Sequence, residues 1–195
     1  MTAKIKLNAA SGGGSVSIQA PSSSSNNRVI SLPDIADGTL LTTQSTGLGI
    51  VLQVVESGFT SSFQTASTSF VDITSASVTI TPSSSSNKIL VMANLNTDYV
   101  AQTSDLRVIY TKLLRGSSTE IDKKAYYLGH DVSSTGYSFY GTPIDMFALD
   151  SPAVNTAVTY KVQAKTDSGN NNALFRVNMV SGSGASKLIA MEVAA

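Results

Sequence analysis

His130 is the only histidine in the 195-residue chain. A Ser-His-Asp triad or a histidine-held metal would have to be completed by carboxylates and hydroxyls alone. Its neighbour Asp131 would face the opposite side of a strand, so a loop or strand-end position is expected for His130. Asp98, Asp105, Asp122, Asp131, Asp145, Asp150 and Asp167 are the carboxylates from which a glycosidase pair would be drawn. Most fall in or beside expected loops, where aspartate ordinarily caps turns. No spacing forces two of them to face each other. Asp34 with Asp37, or Asp167 with Asn170 to Asn172, could hold calcium, but EF-hand spacing is absent and solvated turns are expected. Gly12 to Gly14 are followed by neither a helix start nor a phosphate-loop lysine, which leaves a turning backbone. No catalytic residue, cofactor or metal is expected, and the chain does not read as an enzyme.

Tyr126, Tyr127, Tyr137, Phe139 and Tyr140 cluster in the middle of the C-terminal part. Aromatic rings fill sandwich cores and subunit interfaces. At loop ends they also stack on sugars, and loops carry binding on β scaffolds. Core or interface is the first reading of these five residues, and a receptor-contacting patch is the second. The tight basic pairs, Lys4 with Lys6 and Lys123 with Lys124, read as solvated charge. Charged residues make up only 13% of the chain and the formal net charge is zero. No long-range field therefore draws it to nucleic acid or an anionic membrane. No run approaches the ~20 apolar residues of a membrane span. Cysteine is absent, which excludes disulfides and thiolate zinc. The first fourteen residues, MTAKIKLNAASGGG, hold no apolar stretch long enough for a signal peptide. Serine, threonine, asparagine and glycine stand where charges usually would. Such a surface suits β proteins that pack side by side.

The elements that must position these residues announce themselves by a repeat. Residues 15–32 read SVSIQAPSSSSNNRVISL and residues 77–93 read SVTITPSSSSNKILVMA. Each is an alternating run, a proline, a Ser-Ser-Ser-Ser-Asn tract and a second apolar run. Proline and small polar residues break a strand, so each copy predicts a strand–loop–strand unit, with a hairpin as its simplest form. The first ~50 residues have few large apolar side chains and no aromatic, too little to bury much area alone. Their β alternation points to ordering by other chains. TTQSTGLG, residues 42–49, reads as a linker. From Ile50 onward eight or nine strands follow. In IVLQVVES, Val51, Gln53 and Val55 take one face and Ile50, Leu52 and Val54 the other. VTYKVQAKT places Tyr160, Val162 and Ala164 inward. DSGNNN, residues 167–172, reads as a hairpin loop. ALFRVNMV puts Phe175, Val177 and Met179 on one face. Short strands at this spacing predict a β-sandwich or jelly roll.

Several segments carry a family resemblance. "LNAASGGGSVS", "APSSSSNNRVISLP" and "DGTLLTT" resemble the N-terminal segment of short tail-fibre and virion structural proteins of tailed phages, especially those of aquatic bacteria. "SFVDITSASVTITPSSSSNKILVMA", "LLRGSSTEI", "LDSPAVNTAVTYKVQAK" and "KLIAMEVA" resemble the C-terminal domain often joined to it. The resemblance implies an all-β protein in two parts. Residues 1–49 would form an extended segment that attaches to other virion proteins and intertwines with its copies. Residues 50–195 would form a jelly-roll-like antiparallel β-sandwich knob. It further implies a homotrimeric tail-fibre-like or capsid-fibre appendage that adheres to a host-surface glycan or protein, with no nucleic acid and no membrane insertion. Such a protein assembles in the bacterial cytoplasm and leaves, within the virion, by lysis. The alternative is a non-adhesive decoration or adaptor protein that stabilises the particle. A glycan depolymerase is disfavoured by the short chain and the lack of a long β-helix repeat.

Overall fold

Short apolar runs and period-two alternation, rather than a 3.6 period, mark the chain, and the described segments that carry them are strands. The computed structural model describes residues 4–8, 11–19, 23, 50–101, 107–128, 138–167, 173–179 and 184–194, and among them every regular element is a β-strand. The chain divides into two compact units, Met1–Leu41 and Thr42–Ala195.

The first unit contains β1 (Lys4–Asn8) and β2 (Ser15–Gln19), paired antiparallel. Gly12 and Gly13, at φ of 84° and 71°, turn the chain between them, a conformation that costs glycine nothing. The strand of the first repeat copy therefore pairs with the preceding strand. Its expected partner, residues 28–32, lies outside the described residues, as do the tract after Ser23 and the linker.

The second unit is built from β3 (Val51–Phe59), β4 (Phe63–Thr65), β5 (Val71–Ile80), β6 (Lys88–Leu95), β7 (Thr97–Ala101), β8 (Arg107–Arg115), β9 (Thr119–Leu128), β10 (Ser138–Gly141), β11 (Ile144–Asp150), β12 (Val158–Thr166), β13 (Ala173–Val177) and β14 (Ser186–Val193). One sheet has the order β5-β12-β8-β9. Two further sheets have the orders β11-β6-β14-β3 and β10-β7-β13-β4, the second following the first along two of its strands. The continuation follows from the chain, because Asn96 alone separates β6 from β7, and Thr142 and Pro143 alone separate β10 from β11. The larger unit thus holds three antiparallel four-stranded sheets, two of them joined end to end by these short links, consistent with the expected β-sandwich.

Asn178 staples the level at which these two joined sheets meet. Its φ is 54°, the left-handed region that asparagine tolerates better than most residues. Its backbone N–H reaches the Asn96 carbonyl at 2.9 Å. Its amide donates to the Phe59 carbonyl at 3.0 Å and accepts from Ser186 Oγ at 2.7 Å, while Ser186 Oγ accepts from Asn96 N at 2.9 Å. The left-handed turn also ends the alternation, so Met179 is exposed instead of joining the buried Phe175 and Val177.

The core lies between the layers. Val158, Tyr160, Val162 and Ala164 of β12 and Ile73, Ala76, Val78 and Ile80 of β5 meet Ile89, Val91, Ala93 and Leu95 of β6 and Leu188 and Ala190 of β14. The strand period breaks once in β5, where Ser75 at φ 65° marks an irregularity opposite Val162. A bulge of this kind re-aims the following side chains, and Ala76, Val78 and Ile80 all return to the core.

The second Pro-Ser-Ser-Ser-Ser-Asn tract does not close a hairpin. β5 and β6 belong to different sheets, and Pro82 to Asn87 form the corner between them. A buried carboxylate holds this corner. Glu192 of β14, 1% exposed, accepts from Ser83 N and Ser83 Oγ at 2.7 Å each, from Asn87 Nδ2 at 2.6 Å and from Gln53 Nε2 at 2.6 Å. Burial alone would push its pKa up, but the hydrogen bonds from Asn87, Ser83 and Gln53 outweigh it and hold the group at about 2. Hydrogen bonding to the charged form overcomes desolvation here.

DSGNNN is likewise a crossing between layers, since β12 and β13 sit in different sheets. Residues 168–172 lie outside the described residues. A hairpin does join β8 to β9, where Arg115 pairs with Thr119 around Gly116, at φ 62°. Local alternation cannot tell a hairpin from a corner, because both begin and end on well-formed strands.

Glu192→Gln removes a charge that the corner is built to receive. It is expected to destabilise the second unit by about 3 kcal/mol at neutral pH, measured by denaturant unfolding. Because the folded pKa lies below the ordinary 4.5, the contribution is present above about pH 4.5 and lost as pH falls towards 2. The variant should lose that part of the acid dependence.

Candidate functional site

Of the five aromatics, Tyr126 and Tyr127 lie on β9 and Phe139 and Tyr140 on β10, strands of different sheets. Tyr126 and Tyr127 are neighbours on β9 and point to opposite faces. Tyr126 packs against the core, and Tyr127 is 68% exposed. Burial first, then the charges of Asp145 and Asp122, raises the Tyr126 pKa above the usual phenol range. Phe139 and Tyr140 lie on β10 in the other layer, in register with Val100 and Tyr99. Tyr137, His130, Asp131, Asp105, Asp34, Asp37 and Asn170 to Asn172 lie outside the described residues.

The described aspartates each have a structural partner. Asp98 pairs with Arg176 directly across β7 and β13, with Arg176 Nη2 at 2.8 Å. Asp150 accepts from Arg115 Nη1 at 2.9 Å on both oxygens and from Tyr160 OH at 2.8 Å. Burial, then this hydrogen bond, drives the Tyr160 pKa well above the ordinary value. Asp167 and Val108 exchange two hydrogen bonds, Val108 N to Asp167 Oδ2 at 2.9 Å and Asp167 N to Val108 O at 3.1 Å. Asp145 accepts from Asn94 Nδ2 at 2.6 Å. Asp72 accepts from Lys161 Nζ at 2.9 Å and Gln163 Nε2 at 2.7 Å on the surface, and these contacts lower its pKa. Asp122 lies 3.5 Å from Lys124 Nζ. Among the described residues no group of three histidines, cysteines or carboxylates could hold a metal ion.

The feature that stands out is the outer face of β11-β6-β14-β3. Strand register sets Leu149, Leu90, Met191 and Val54 in one row across all four strands. Phe147, Met92, Ile189 and Glu56 form the next. Beyond the register shift after Glu192, Val193 pairs with Val51, and Val51 and Leu52 are both exposed. Phe147 is 65%, Leu149 57% and Val54 55% exposed. One border is polar. Asp145, Asn94 and Lys187 share a row, and Lys187 Nζ reaches Glu56 at 2.9 Å. A contiguous apolar patch with a polar rim marks an interaction surface.

This face was not singled out in the sequence, although its signal is there. Strands covered on both faces read as nearly continuous apolar runs. IVLQVV, KILVM and KLIAM are such runs, whereas VTYKVQAKT alternates and has one wet face.

The hairpin of the first unit carries a smaller version of the same feature. In the register Ile5 pairs with Ile18 and Leu7 with Val16, alternating with the pairs Lys4–Gln19, Lys6–Ser17 and Asn8–Ser15. Ile5, Leu7 and Ile18 are more than half exposed. A lone two-stranded hairpin is marginal in water.

No family model matches the chain, and no curated protein does. Among solved structures it is similar to the VP2 protein of infectious bursal disease virus. The similarity to VP2 in derived T=1 particles has 14% identity and a TM-score of 0.31, covering 94% of this chain and 46% of that one. For the VP2 subviral particle the figures are 13%, 0.36, 93% and 47%. The chain spans about half the length of these VP2 chains, and at TM-scores this low they place no constraint on its function.

If the aspartates are structural, losses should scale with burial. Asp150→Ala strands Arg115 and the Tyr160 hydroxyl and is expected to cost about 2–4 kcal/mol. The exposed Asp72→Ala should cost less than about 1 kcal/mol. Chemical denaturation of the two variants checks the contrast.

Proposed function

We propose that the chain is a virion structural protein that assembles as a homotrimer and serves as a tail-fibre-like or capsid-fibre appendage adhering to the host surface. The observation that carries this reading is the exposed apolar face of β11-β6-β14-β3, with Phe147 and Leu149 at its edge. A protein whose solubility comes from hydroxyls and amides gains nothing from leaving such a face wet.

Magnitudes favour a shared assembly over a lone pairwise contact. Covering the five most exposed side chains of the face removes roughly 450 Å² of apolar area, on the order of 10 kcal/mol. Association itself costs about 4–15 kcal/mol, so one such patch is close to balance. A closed ring, in which each protomer uses its face and its hairpin contributes Ile5, Leu7 and Ile18, tips the balance. The threefold number comes from the phage-protein resemblance. The hairpin's apolar side suits residues 1–49 to intertwining with copies and to other virion proteins. The knob then faces the host, and many weak contacts per particle give avidity without a deep pocket.

The assembled protein is expected to elute at about three times its chain mass in light scattering. Phe147→Asp, at a position exposed in the protomer, should shift it towards one chain mass with the thermal midpoint of the protomer nearly unchanged. A wild-type monomer that is also absent from purified particles would overturn the proposal. A trimer whose knob binds no host cells would favour the decoration role.

A further inference from the structure

The other layer presents a different outer face. Three lysines from three strands converge on one ring there. Lys112 of β8, Lys165 of β12 and Lys123 of β9 place their ammonium groups 4.4, 5.4 and 5.6 Å from the centre of the Phe70 ring. Lys165 Nζ also lies 4.8 Å from the centre of Tyr110. Register explains the convergence, since Asp72, Gln163, Lys112 and Lys123 form one row across β5, β12, β8 and β9, and Lys165 pairs with Tyr110 in the next. The Lys123–Lys124 pair, read as solvated charge, splits across the strand. Lys123 faces this ring, and Lys124 points to the other side, near Asp122.

Each ammonium gains from the negative face of the ring. The three also repel one another, across distances no greater than roughly a Debye length, ~10 Å at 0.1 M salt. Among the described residues the ion pairs are Arg115–Asp150, Lys124–Asp122, Lys161–Asp72, Arg176–Asp98 and Lys187–Glu56. None of them includes Lys112, Lys123 or Lys165. Asp72, at the β5 end of the same row, is engaged by Lys161 and Gln163, so in a chain of zero formal net charge the three lysines still leave this face with a local excess of positive charge.

The geometry points to a binding site for an anionic polysaccharide of the host surface, one bearing carboxylates or phosphates along its length. Resting on the adhesion reading, the inference names the ligand chemistry and the face that meets it. Lysine is a compact charge on a flexible stem, suited to a polymer with repeated anions rather than to one rigidly clamped group. An open sheet face admits a chain lying across the strands, and the Tyr110 hydroxyl offers a hydrogen bond beside the charges. A nucleic acid fits less well. The ring that a base would stack on already carries ammonium groups, and zero net charge supplies no steering field. The face also belongs to the layer opposite the apolar one, so self-association leaves it open in every copy.

The test uses the full assembled chain on immobilised alginate, a polyuronate, and on phosphorylated core oligosaccharide from lipopolysaccharide. Neutral dextran and single-stranded DNA serve as comparators. Binding to at least one anionic glycan and not to dextran is expected, and the stronger arm tells carboxylate from phosphate. Lys112→Gln with Lys165→Gln should weaken binding about tenfold, and Lys112→Arg with Lys165→Arg should restore it. Lys4→Gln with Lys6→Gln, which removes the same charge from the first unit, should leave binding unchanged. No binding to either glycan, equal loss in the Lys4/Lys6 variant, or tighter binding to DNA would overturn the inference. Light scattering on the same samples separates the two proposals, because a trimer that fails to bind refutes this site and leaves self-association standing.

Discussion

The fold of the larger unit depends on a buried carboxylate that receives a loop. Glu192 sits in β14 at the centre of one sheet and binds the Ser83–Asn87 corner through which the chain leaves the other. A charge so placed would be costly by itself. Four hydrogen bonds from three residues make it a fixed point instead. β5 and β6 are thereby held in separate layers, so that the runs flanking the tract serve two different faces. Arg115, Asp150 and Tyr160 do the same at another corner, joining the β8–β9 turn to the loop before β12. Segments far apart in the chain meet in these two knots. "TPSSSSNK" touches "KLIAMEVA" through Glu192, and "LLRGSSTEI" touches "LDSPAVNTAVTYKVQAK" through Asp150. Their occurrence together has a physical basis, since each supplies the partner the other needs.

Separating the layers gives the molecule two unlike outer surfaces. β11-β6-β14-β3 is apolar with a polar rim, and β5-β12-β8-β9 carries lysines over Phe70 and Tyr110. The same strands that bury Val91, Leu188 and Met146 inward turn Leu90, Ile189 and Phe147 outward. Self-association through one layer and contact with a charged polymer through the other are compatible uses of a single sandwich. A sheet has only two faces, and here the inner faces are already spent on the core.

What could be read from residues alone follows the range of the forces involved. The all-β class and the inward set Tyr160, Val162 and Ala164 are local patterns and were legible. Strand partnership was not. The tract after Pro82 and the one after Thr166 both look like hairpin loops, and both cross between layers, because alternation is silent about which sheet a strand joins. Glu192 left a trace as a lone acid at an inward position of an apolar strand, but its donors come from residues more than a hundred positions away. The lysine–Phe70 cluster assembles four separate segments and becomes visible only once register is known. Tyr126 and Tyr127, adjacent in sequence, diverge across a strand.

The central claim is that the apolar layer is covered by copies of the chain itself. Phe147 and Tyr127 offer a direct comparison, being 65% and 68% exposed in the protomer. Hydroxyl-radical footprinting of the protein at assembly concentration should therefore modify Tyr127 heavily and leave Phe147 and Leu149 protected, with protection lost on dilution. Equal modification of Phe147 and Tyr127 at every concentration would contradict the account.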